Sequence, residues 1–273
     1  MKFKLFLYLV LLLTAFKSEA QERVTTFGVQ LKPIIPVEFF SAGKQEVDND
    51  GIIYVNQPKL GMSFGMVIRK GITKNISLET GLNFLQRNFD LTINDTDSSF
   101  SGTSDFRIVN YEIPVLCLVY VELSRKIFMN VAGGVSFDIY PTPLYVQDDY
   151  FTNAVNRTNW IQPSLLANVG WEYRTEKSGY FYLGASLHRS FNSAIFTEFV
   201  GYTSINDQGN RDVIDETTFD VTGNYFTIDL RYFFHEDPAK KKKRKKKGEK
   251  KVKDPNVHYD KNGKRIFIDP RKK

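Results

Sequence analysis

Apolar and polar residues alternate along eight segments of the chain, and a period of two residues is typical of β-strands. The segment 224–234 shows the pattern most clearly, because one face is wholly apolar and the other carries Asp229 and Arg231. The other segments are 27–35, 60–68, 76–84, 105–123, 127–137, 165–173 and 181–187. The sequence therefore predicts an all-β chain with eight strands.

The connections between these strands alternate in length. Short turns lie at 71–75, 124–126 and 175–179, and long polar loops are expected at 36–59, 90–104, 141–159 and 192–217. An even number of strands with alternating short turns and long loops is the layout of a transmembrane β-barrel. A soluble eight-stranded barrel also runs up and down, but its apolar face points inward around a ligand.

The chemistry of the two faces favours the membrane barrel. The polar faces are rich in glycine and charged residues, which suit a narrow interior in which charges can pair. The apolar faces carry aromatic residues near the strand ends, as the interfacial girdles of membrane barrels do. These are Phe84, Phe137, Trp171, Tyr173, Tyr232 and Phe234. We predict an eight-stranded antiparallel up-and-down transmembrane β-barrel over residues 21–235, with its apolar faces toward lipid.

The first twenty residues have the features of a secretory signal peptide. Lys2 and Lys4 precede an apolar run over 5–16, and Ser18-Glu19-Ala20 resembles a small-x-small cleavage site. The remaining chain lacks an apolar stretch of about 18 residues, so we expect no transmembrane helix.

The charge is divided between the ends and the body of the chain. The net charge is +6, of which residues 235–273 contribute +11 and the signal peptide +2, which leaves −7 for residues 21–234. Such asymmetry suggests two modules, and we assign 236–273 to a Lys-rich periplasmic tail. Its basic run consists of Lys240, Lys241, Lys242, Lys243, Arg244, Lys245, Lys246 and Lys247.

A basic run of this length cannot bury itself, so the tail is predicted to be disordered. Secretion across the inner membrane argues against a nucleic-acid partner and favours anionic head groups or an acidic envelope protein. Residues 257–268 have the pattern of a small hairpin around Asn262-Gly263, which either folds only on a partner or remains a flexible end, because an isolated hairpin is marginal in water.

The segment Tyr111-Glu112-Ile113-Pro114-Val115-Leu116, with the signal peptide and the eight strands, resembles the PorT-like outer-membrane barrels. These are a branch of the OmpA-like eight-stranded group. The resemblance implies a Gram-negative outer-membrane location, with extracellular loops and both termini in the periplasm. PorT itself is linked to type IX secretion, but many relatives share only the barrel, so that role is not carried over.

The last predicted strand ends in Tyr-x-Phe, which resembles the terminal motif that the barrel assembly machinery reads. The expected assembly signal comprises Phe226, Ile228, Leu230, Tyr232 and Phe234. Phe234 is followed by the basic tail rather than by the end of the chain, so this signal would have to act from an internal position.

An eight-stranded barrel is just wide enough for side chains to fill it. Charged residues on the polar faces are therefore expected to pair with one another, since an unpaired charge in such an interior is costly. The predicted interior charge network comprises Arg69, Glu79, Glu112, Glu172, Asp229 and Arg231. We interpret it as structural, with a proton or ion path as the alternative.

A catalytic alternative rests on His188, Ser190 and Glu198, which weakly resemble the His/Ser/Glu set of the outer-membrane lipid A deacylase PagL. Strand alternation points His188 and Ser190 to the interior, away from acyl chains, and Phe191 interrupts the deacylase-type order.

Cys117, the single cysteine, falls on an apolar face and is interpreted as a small hydrophobic residue. Asp48-Asn49-Asp50-Gly51 is interpreted as a turn rather than a calcium loop.

Together these features predict a non-enzymatic outer-membrane protein with a structural or partner-binding role. A small channel and a lipid-modifying enzyme are the alternatives. The expected partners are outer-membrane lipid, the barrel assembly machinery and an envelope protein that binds the tail. No cofactor, metal or nucleic acid is expected.

Overall fold

The computed structural model describes residues 25–38, 43–73, 75–141, 143–148, 150–175 and 178–234, and the backbone of 257–259 and 265–267. Among these residues no helix is long and apolar enough to cross a membrane.

The elements of the described chain are strands, numbered here in chain order. They are β1 (Thr25–Ile35), β2 (Gln45–Asn49), β3 (Ile52–Gly71), β4 (Ile76–Asp95), β5 (Phe100–Ser124), β6 (Ile127–Ile139), β7 (Leu144–Gln147), β8 (Phe151–Arg157), β9 (Ile161–Arg174), β10 (Tyr180–Ser190), β11 (Phe196–Ile205), β12 (Arg211–Val221), β13 (Tyr225–Phe233), β14 (Val257–Tyr259) and β15 (Arg265–Phe267).

Eight of these strands close into a ring. The antiparallel order is β1-β3-β4-β5-β6-β9-β10-β13, and β13 pairs back onto β1 with Gly28 opposite Phe233 and Ile35 opposite Phe226. These are the eight strands that the alternation predicts, and the predicted fold class is confirmed. Closure satisfies the edge of every strand, which a β-structure needs in a lipid environment.

The outer face of the ring is apolar and the inner face is polar. Outward side chains such as Met66, Val115, Leu165, Trp171 and Leu183 are about half exposed, and together they form a continuous apolar belt. The residues between them on each strand are buried, and most of those in the interior are polar or charged. This arrangement is the reverse of a soluble barrel and is the one required in a membrane.

The prediction of long polar loops is wrong, because most of these residues form strands. β3, β4 and β5 continue beyond the ring, β2 pairs with the extension of β3, and a separate sheet has the order β12-β11-β8-β7. We call this region the cap, comprising the described residues of 43–57, 89–106, 140–160 and 192–222. It lies at the end of the barrel opposite the short turns.

The cap has its own hydrophobic core. The two sheets bury a cluster that includes Tyr54, Ile93, Phe151, Val155 and Val200, each with at most 6% of its surface exposed. Polar contacts also join the sheets, since the Tyr54 hydroxyl donates to Asp215 at 2.9 Å and the Gln45 side chain donates to the carbonyl of Asp220 at 2.9 Å. The burial of this cluster explains why the connections form regular structure.

Residues 236–273 form a second unit. In it β14 and β15 pair antiparallel, with Val257 opposite Phe267 and Tyr259 opposite Arg265, as expected for a hairpin. Asn262-Gly263, the basic run over 240–247 and the predicted signal peptide over 1–20 lie outside the described residues.

Candidate functional site

Ion pairs fill the end of the barrel interior near the short turns. Arg69 contacts Glu79 at 3.0 Å and Glu172 at 2.5 Å, and Arg231 contacts Glu79 and Asp229 at 2.5 Å each. These five side chains are almost fully buried. We call them, with Arg174, the ion-pair network, because Arg174 also contacts Glu172 at 2.5 Å.

Opposite charges are paired throughout the network, which is also well supplied with hydrogen bonds. It contains three cations and three carboxylates, and the buried Lys32 adds a positive charge that acts on Glu79 and Asp229. Asp229 also accepts hydrogen bonds from Ser186 and Thr227 at 2.6 Å each and from Asn168 at 2.9 Å. Paired charges and multiple donors are what a buried ionic cluster needs to offset the cost of desolvation.

Glu112 does not belong to this network, contrary to the sequence prediction. Across the β4–β5 pairing, Glu79 is opposite Leu116, whereas Glu112 is opposite Asn83. Four residues along a strand correspond to about 13 Å, so Glu112 lies at a different level of the barrel. Alternation places a residue on the inner face, but the register between strands decides which inner residues meet.

Glu112 instead lies with Asp138 and His188, at the level nearer the cap. The Nε2 atom of His188 is 3.0 Å from Asp138 Oδ2 and 3.7 Å from Glu112 Oε1. All three side chains are fully buried. We call them the carboxylate–histidine cluster. Among the described residues it is the group whose ligand atoms lie close enough together to hold a metal ion.

Hydrogen bonds hold each member of the cluster. Asn83 donates to Glu112 at 2.7 Å, Ser164 donates to Asp138 at 2.9 Å, and the Nδ1–H of His188 donates to the carbonyl of Gly223 at 3.0 Å. The ring of Tyr225 stacks on the imidazole, with 4.2 Å between ring centroids.

The surroundings of His188 are not those of a hydrolase triad. Ser136 Oγ lies 3.0 Å from Nε2, the same nitrogen that contacts Asp138, while Nδ1 is occupied by the Gly223 carbonyl. In a triad the serine and the carboxylate bind opposite nitrogens of the imidazole. Ser190 and Glu198 do not complete the set, because Ser190 Oγ accepts from the backbone of Asn192 and Glu198 lies in the cap.

Glu198 is a buried carboxyl inside the cap. Asn153 donates to Oε1 at 2.7 Å and Asn56 donates to Oε2, so the side chain links β11 to β8 and to the extension of β3. Burial raises the pKa of Glu198 to about 7, and the two amide hydrogen bonds only partly oppose this shift.

The predicted assembly signal lies on β13 and the residue that follows it. Ile228, Leu230 and Phe234 face outward and are 40–49% exposed. Phe226 and Tyr232 are half-buried, and the Tyr232 ring packs against Phe181 at a centroid distance of 5.0 Å.

Cys117 is exposed on the outer face of the barrel, among the apolar side chains of β5.

The acidic segment Asp48–Gly51 forms a turn. Asp48 accepts a hydrogen bond from the backbone of Gly51 at 3.0 Å, and Asp50 and Gly51 have positive φ angles of 48° and 92°. Alternation along β6 is consistent with Ser136 and Asp138 on the inner face, but the sequence alone does not connect them with His188. Only the closure of the ring brings β6 and β10 to the same point in the interior.

The comparisons with known proteins agree with this architecture. Residues 20–207 match the family model of the outer membrane protein β-barrel domain. No curated protein shows a significant match to the chain. Since the matched range covers well over half of the sequence and includes seven of the eight ring strands, the chain belongs to the outer-membrane β-barrel domain family.

Proposed function

We propose that this protein is a non-enzymatic outer-membrane barrel that acts by binding partners through its cap and its basic tail. The observation that carries the proposal is the cap, in which the long connections fold around a hydrophobic core instead of forming separate loops. A folded cap offers a fixed surface, and fixed surfaces lose less conformational entropy on binding than mobile loops do.

The interior supports a binding role over a channel. The ion-pair network occupies the end near the short turns, and the carboxylate–histidine cluster occupies the level above it. Beyond that level the cap covers the barrel. An eight-stranded barrel filled in this way has little room for an aqueous path.

The geometry at His188 supports a non-enzymatic role. Both Ser136 and Asp138 approach the same ring nitrogen, and the imidazole is fully buried inside the barrel. A lipid-modifying enzyme would need its nucleophile within reach of acyl chains, which lie on the other side of the wall.

We further propose that the chain belongs to the PorT-like branch of the family, on the segment Tyr111–Leu116, and that its short turns and both termini face the periplasm. The apolar belt would contact outer-membrane lipid. The barrel assembly machinery would read Phe226, Ile228, Leu230, Tyr232 and Phe234, and the basic run over 240–247 would bind an acidic envelope protein or anionic head groups.

Planar-bilayer recordings test the filled interior. Purified barrel should give no stable channels. Replacing both Glu79 and Arg231 with alanine removes volume from the ion-pair network and should, if anything, introduce brief currents. Large stable channels from the unmodified barrel would contradict a partner-binding role.

Affinity purification from cells tests the contribution of the tail. The full chain is compared with a chain lacking 236–273 and with a full-length chain in which residues 240–247 are glutamine. The glutamine chain keeps the length of the tail and removes its charge. Partners that depend on charge should be lost from both variants. If both variants recover the same partners as the full chain, the tail is not the binding element.

Cysteine labelling tests the orientation. In a Cys117→Ser background, a membrane-impermeant maleimide should label Gln208→Cys in intact cells and leave Ser178→Cys unlabelled until the outer membrane is permeabilised. Gln208 lies at the tip of the β11–β12 hairpin, and Ser178 lies in the short turn before β10. The opposite labelling pattern would reverse the proposed orientation.

A further inference from the structure

We propose that Glu112, Asp138 and His188 form a binding site for a divalent first-row metal ion, such as Zn²⁺, inside the barrel. The three residues come from β5, β6 and β10, so the ion would tie together strands that are not all neighbours in the ring. One imidazole and two carboxylates are ligand types found together at zinc, manganese and iron sites.

The separations between the ligand atoms fit a shared ion. Metal–ligand bonds of about 2.0–2.2 Å place neighbouring ligand atoms about 2.8–3.6 Å apart. His188 Nε2 and Asp138 Oδ2 are 3.0 Å apart, within that range. Glu112 Oε1 is 3.7 Å from Nε2, and all three ligand atoms lie within 4.8 Å of one another, so a movement of the Glu112 carboxylate toward the other two would complete the set.

The hydrogen bond on the far side of the imidazole fixes which nitrogen faces the cluster. A carbonyl oxygen can only accept, so the contact between Nδ1 and Gly223 requires a proton on Nδ1. In the neutral ring Nε2 therefore presents its lone pair toward Asp138 and Glu112. Metal-binding histidines commonly donate their second N–H to a backbone carbonyl in this way.

The Ser136 hydroxyl, 3.0 Å from Nε2, can donate to this lone pair, but the two carboxylates beside it still repel the lone pair and each other unless a cation lies between them. The guanidinium of Arg87 also acts electrostatically on Asp138, and one positive charge against two carboxylates leaves one negative charge uncompensated. A proton on Nε2 or a metal ion would supply the missing charge. These two alternatives are what the experiment must separate.

Asn110 lies at the edge of the cluster and offers a fourth ligand atom. Its side chain is 1% exposed, and its Nδ2 atom lies 3.4 Å from Asp138 Oδ1, at the edge of hydrogen-bond range. Its Oδ1 atom has no hydrogen-bond partner. A buried polar atom without a partner costs free energy, and the two ends of an amide are exchanged by a 180° rotation. That rotation would present an amide oxygen to the cluster as a fourth donor.

The test uses the purified barrel, refolded in detergent with and without one equivalent of Zn²⁺ and then desalted. Loading during refolding is chosen because all three ligands are buried, so an ion would exchange slowly with solvent. Mass spectrometry of bound metal should find about one Zn²⁺ per barrel. Asp138→Asn, Glu112→Gln and His188→Gln should each lower zinc affinity by more than the roughly 10–100-fold that loss of a residue orienting a ligand costs.

Matched controls come from the same chain. His235→Gln and His258→Gln replace its two other histidines, and Glu198→Gln replaces another buried carboxyl; all three should retain the ion. If unmodified barrels carry no zinc after refolding, or if the three cluster variants retain it, the site is refuted and a proton occupies Nε2.

A variant that fails to fold does not leave the proposal untested. Folding is checked by the mobility of unheated barrels in SDS gels. The deciding measurement then uses Co²⁺ in a chain that carries only His235→Gln and His258→Gln. A visible spectrum of Co²⁺ bound by one nitrogen and several oxygens supports the site, and the spectrum of free aqueous Co²⁺ overturns it.

Discussion

At the scale of single residues, the barrel interior shows how a polar core is made stable. Each carboxylate of the ion-pair network contacts at least one arginine, and Glu79 contacts both Arg69 and Arg231. The pairing matters because a charge without a partner in a closed interior has neither water nor lipid head groups to solvate it.

Replacing Glu79 with glutamine should therefore be strongly destabilising. It leaves two buried arginines with one fewer anion, and breaking a buried pair in this way costs about 3–5 kcal/mol. Glu46→Gln is the matched control, since Glu46 and Lys44 form an exposed pair at 2.6 Å that is worth at most about 1 kcal/mol. Urea unfolding in lipid vesicles, monitored by tryptophan fluorescence, measures the free energy of unfolding of both variants. Equal changes in the free energy of unfolding would show that the ion-pair network stabilises the barrel no more than the exposed pair does.

Glu198 should make the stability of the cap depend on pH. Its folded pKa of about 7 lies above its ordinary value of 4.5. Below pH 4.5 the carboxyl is protonated in both states, and between the two values only the open cap releases the proton. Stability is therefore highest at low pH and falls as the pH rises to about 7, by roughly 3 kcal/mol in total.

Limited proteolysis of the cap at pH 5 and pH 8 measures this effect as a faster rate of cleavage at pH 8. Glu198→Gln should remove most of the difference, because glutamine cannot ionise and the side chains of Asn56 and Asn153 have unpartnered oxygens that can turn to accept from it. If the variant keeps the full pH dependence, another group is responsible.

At the scale of elements, alternation predicted the ring strands and failed in the cap, for one physical reason. A ring strand separates lipid from a polar interior, so every second residue is apolar. In the cap, β11 buries Glu198 and Thr203, while β12 exposes Val213 and Ile214. Buried polar and exposed apolar positions break the period, and the pattern resembles a loop. Likewise, the sequence predicted five of the six members of the ion-pair network, but it missed Arg174, added Glu112 and did not predict the carboxylate–histidine cluster, which depends on register.

Two glycines illustrate the packing of the ring. Gly170 and Gly184 lie opposite each other on β9 and β10, and the Tyr182 side chain covers both. The Tyr182 hydroxyl donates to Asn168 at 2.6 Å, and its ring lies 4.7 Å from the Arg231 guanidinium. The missing side chains therefore make the space that an aromatic ring fills next to the ion-pair network.

Gly184→Ala should displace this ring and destabilise the barrel by about 1–3 kcal/mol. An added Cβ would overlap the Tyr182 hydroxyl and approach the backbone oxygen of Val169 to 2.6 Å. Gly133→Ala is the control, because its added Cβ would meet nothing within 4 Å and should be neutral or slightly stabilising. The urea concentrations at the unfolding midpoints of the two variants, measured in the same vesicles, test this prediction, and the midpoint of Gly184→Ala should be the lower one. Equal midpoints would show that Tyr182 can move at no cost.

At the scale of the whole molecule, the barrel and the cap are stabilised by different means. The barrel places its apolar surface outside and its polar residues inside, whereas the cap buries an apolar core of its own. β3, β4 and β5 pass through both, and they change from one pattern to the other near residues 57, 89 and 106 respectively. Lipid around the apolar outer face stabilises the barrel, whereas the burial of apolar side chains away from water stabilises the cap.

A charge placed in the cap core should therefore open the cap and leave the barrel closed. Val200 is 1% exposed and Val213 is 62% exposed, and they lie on the two strands of one hairpin. Val200→Asp buries a carboxylate without a partner and should cost several kcal/mol, while Val213→Asp should be nearly neutral. In the proposed orientation, with the cap outside the cell, proteases added to intact cells should cut the cap of the first variant quickly and that of the second at the original rate. In both, the protected barrel should keep its folded mobility in unheated gels; loss of that mobility in Val200→Asp would mean that the barrel depends on the cap.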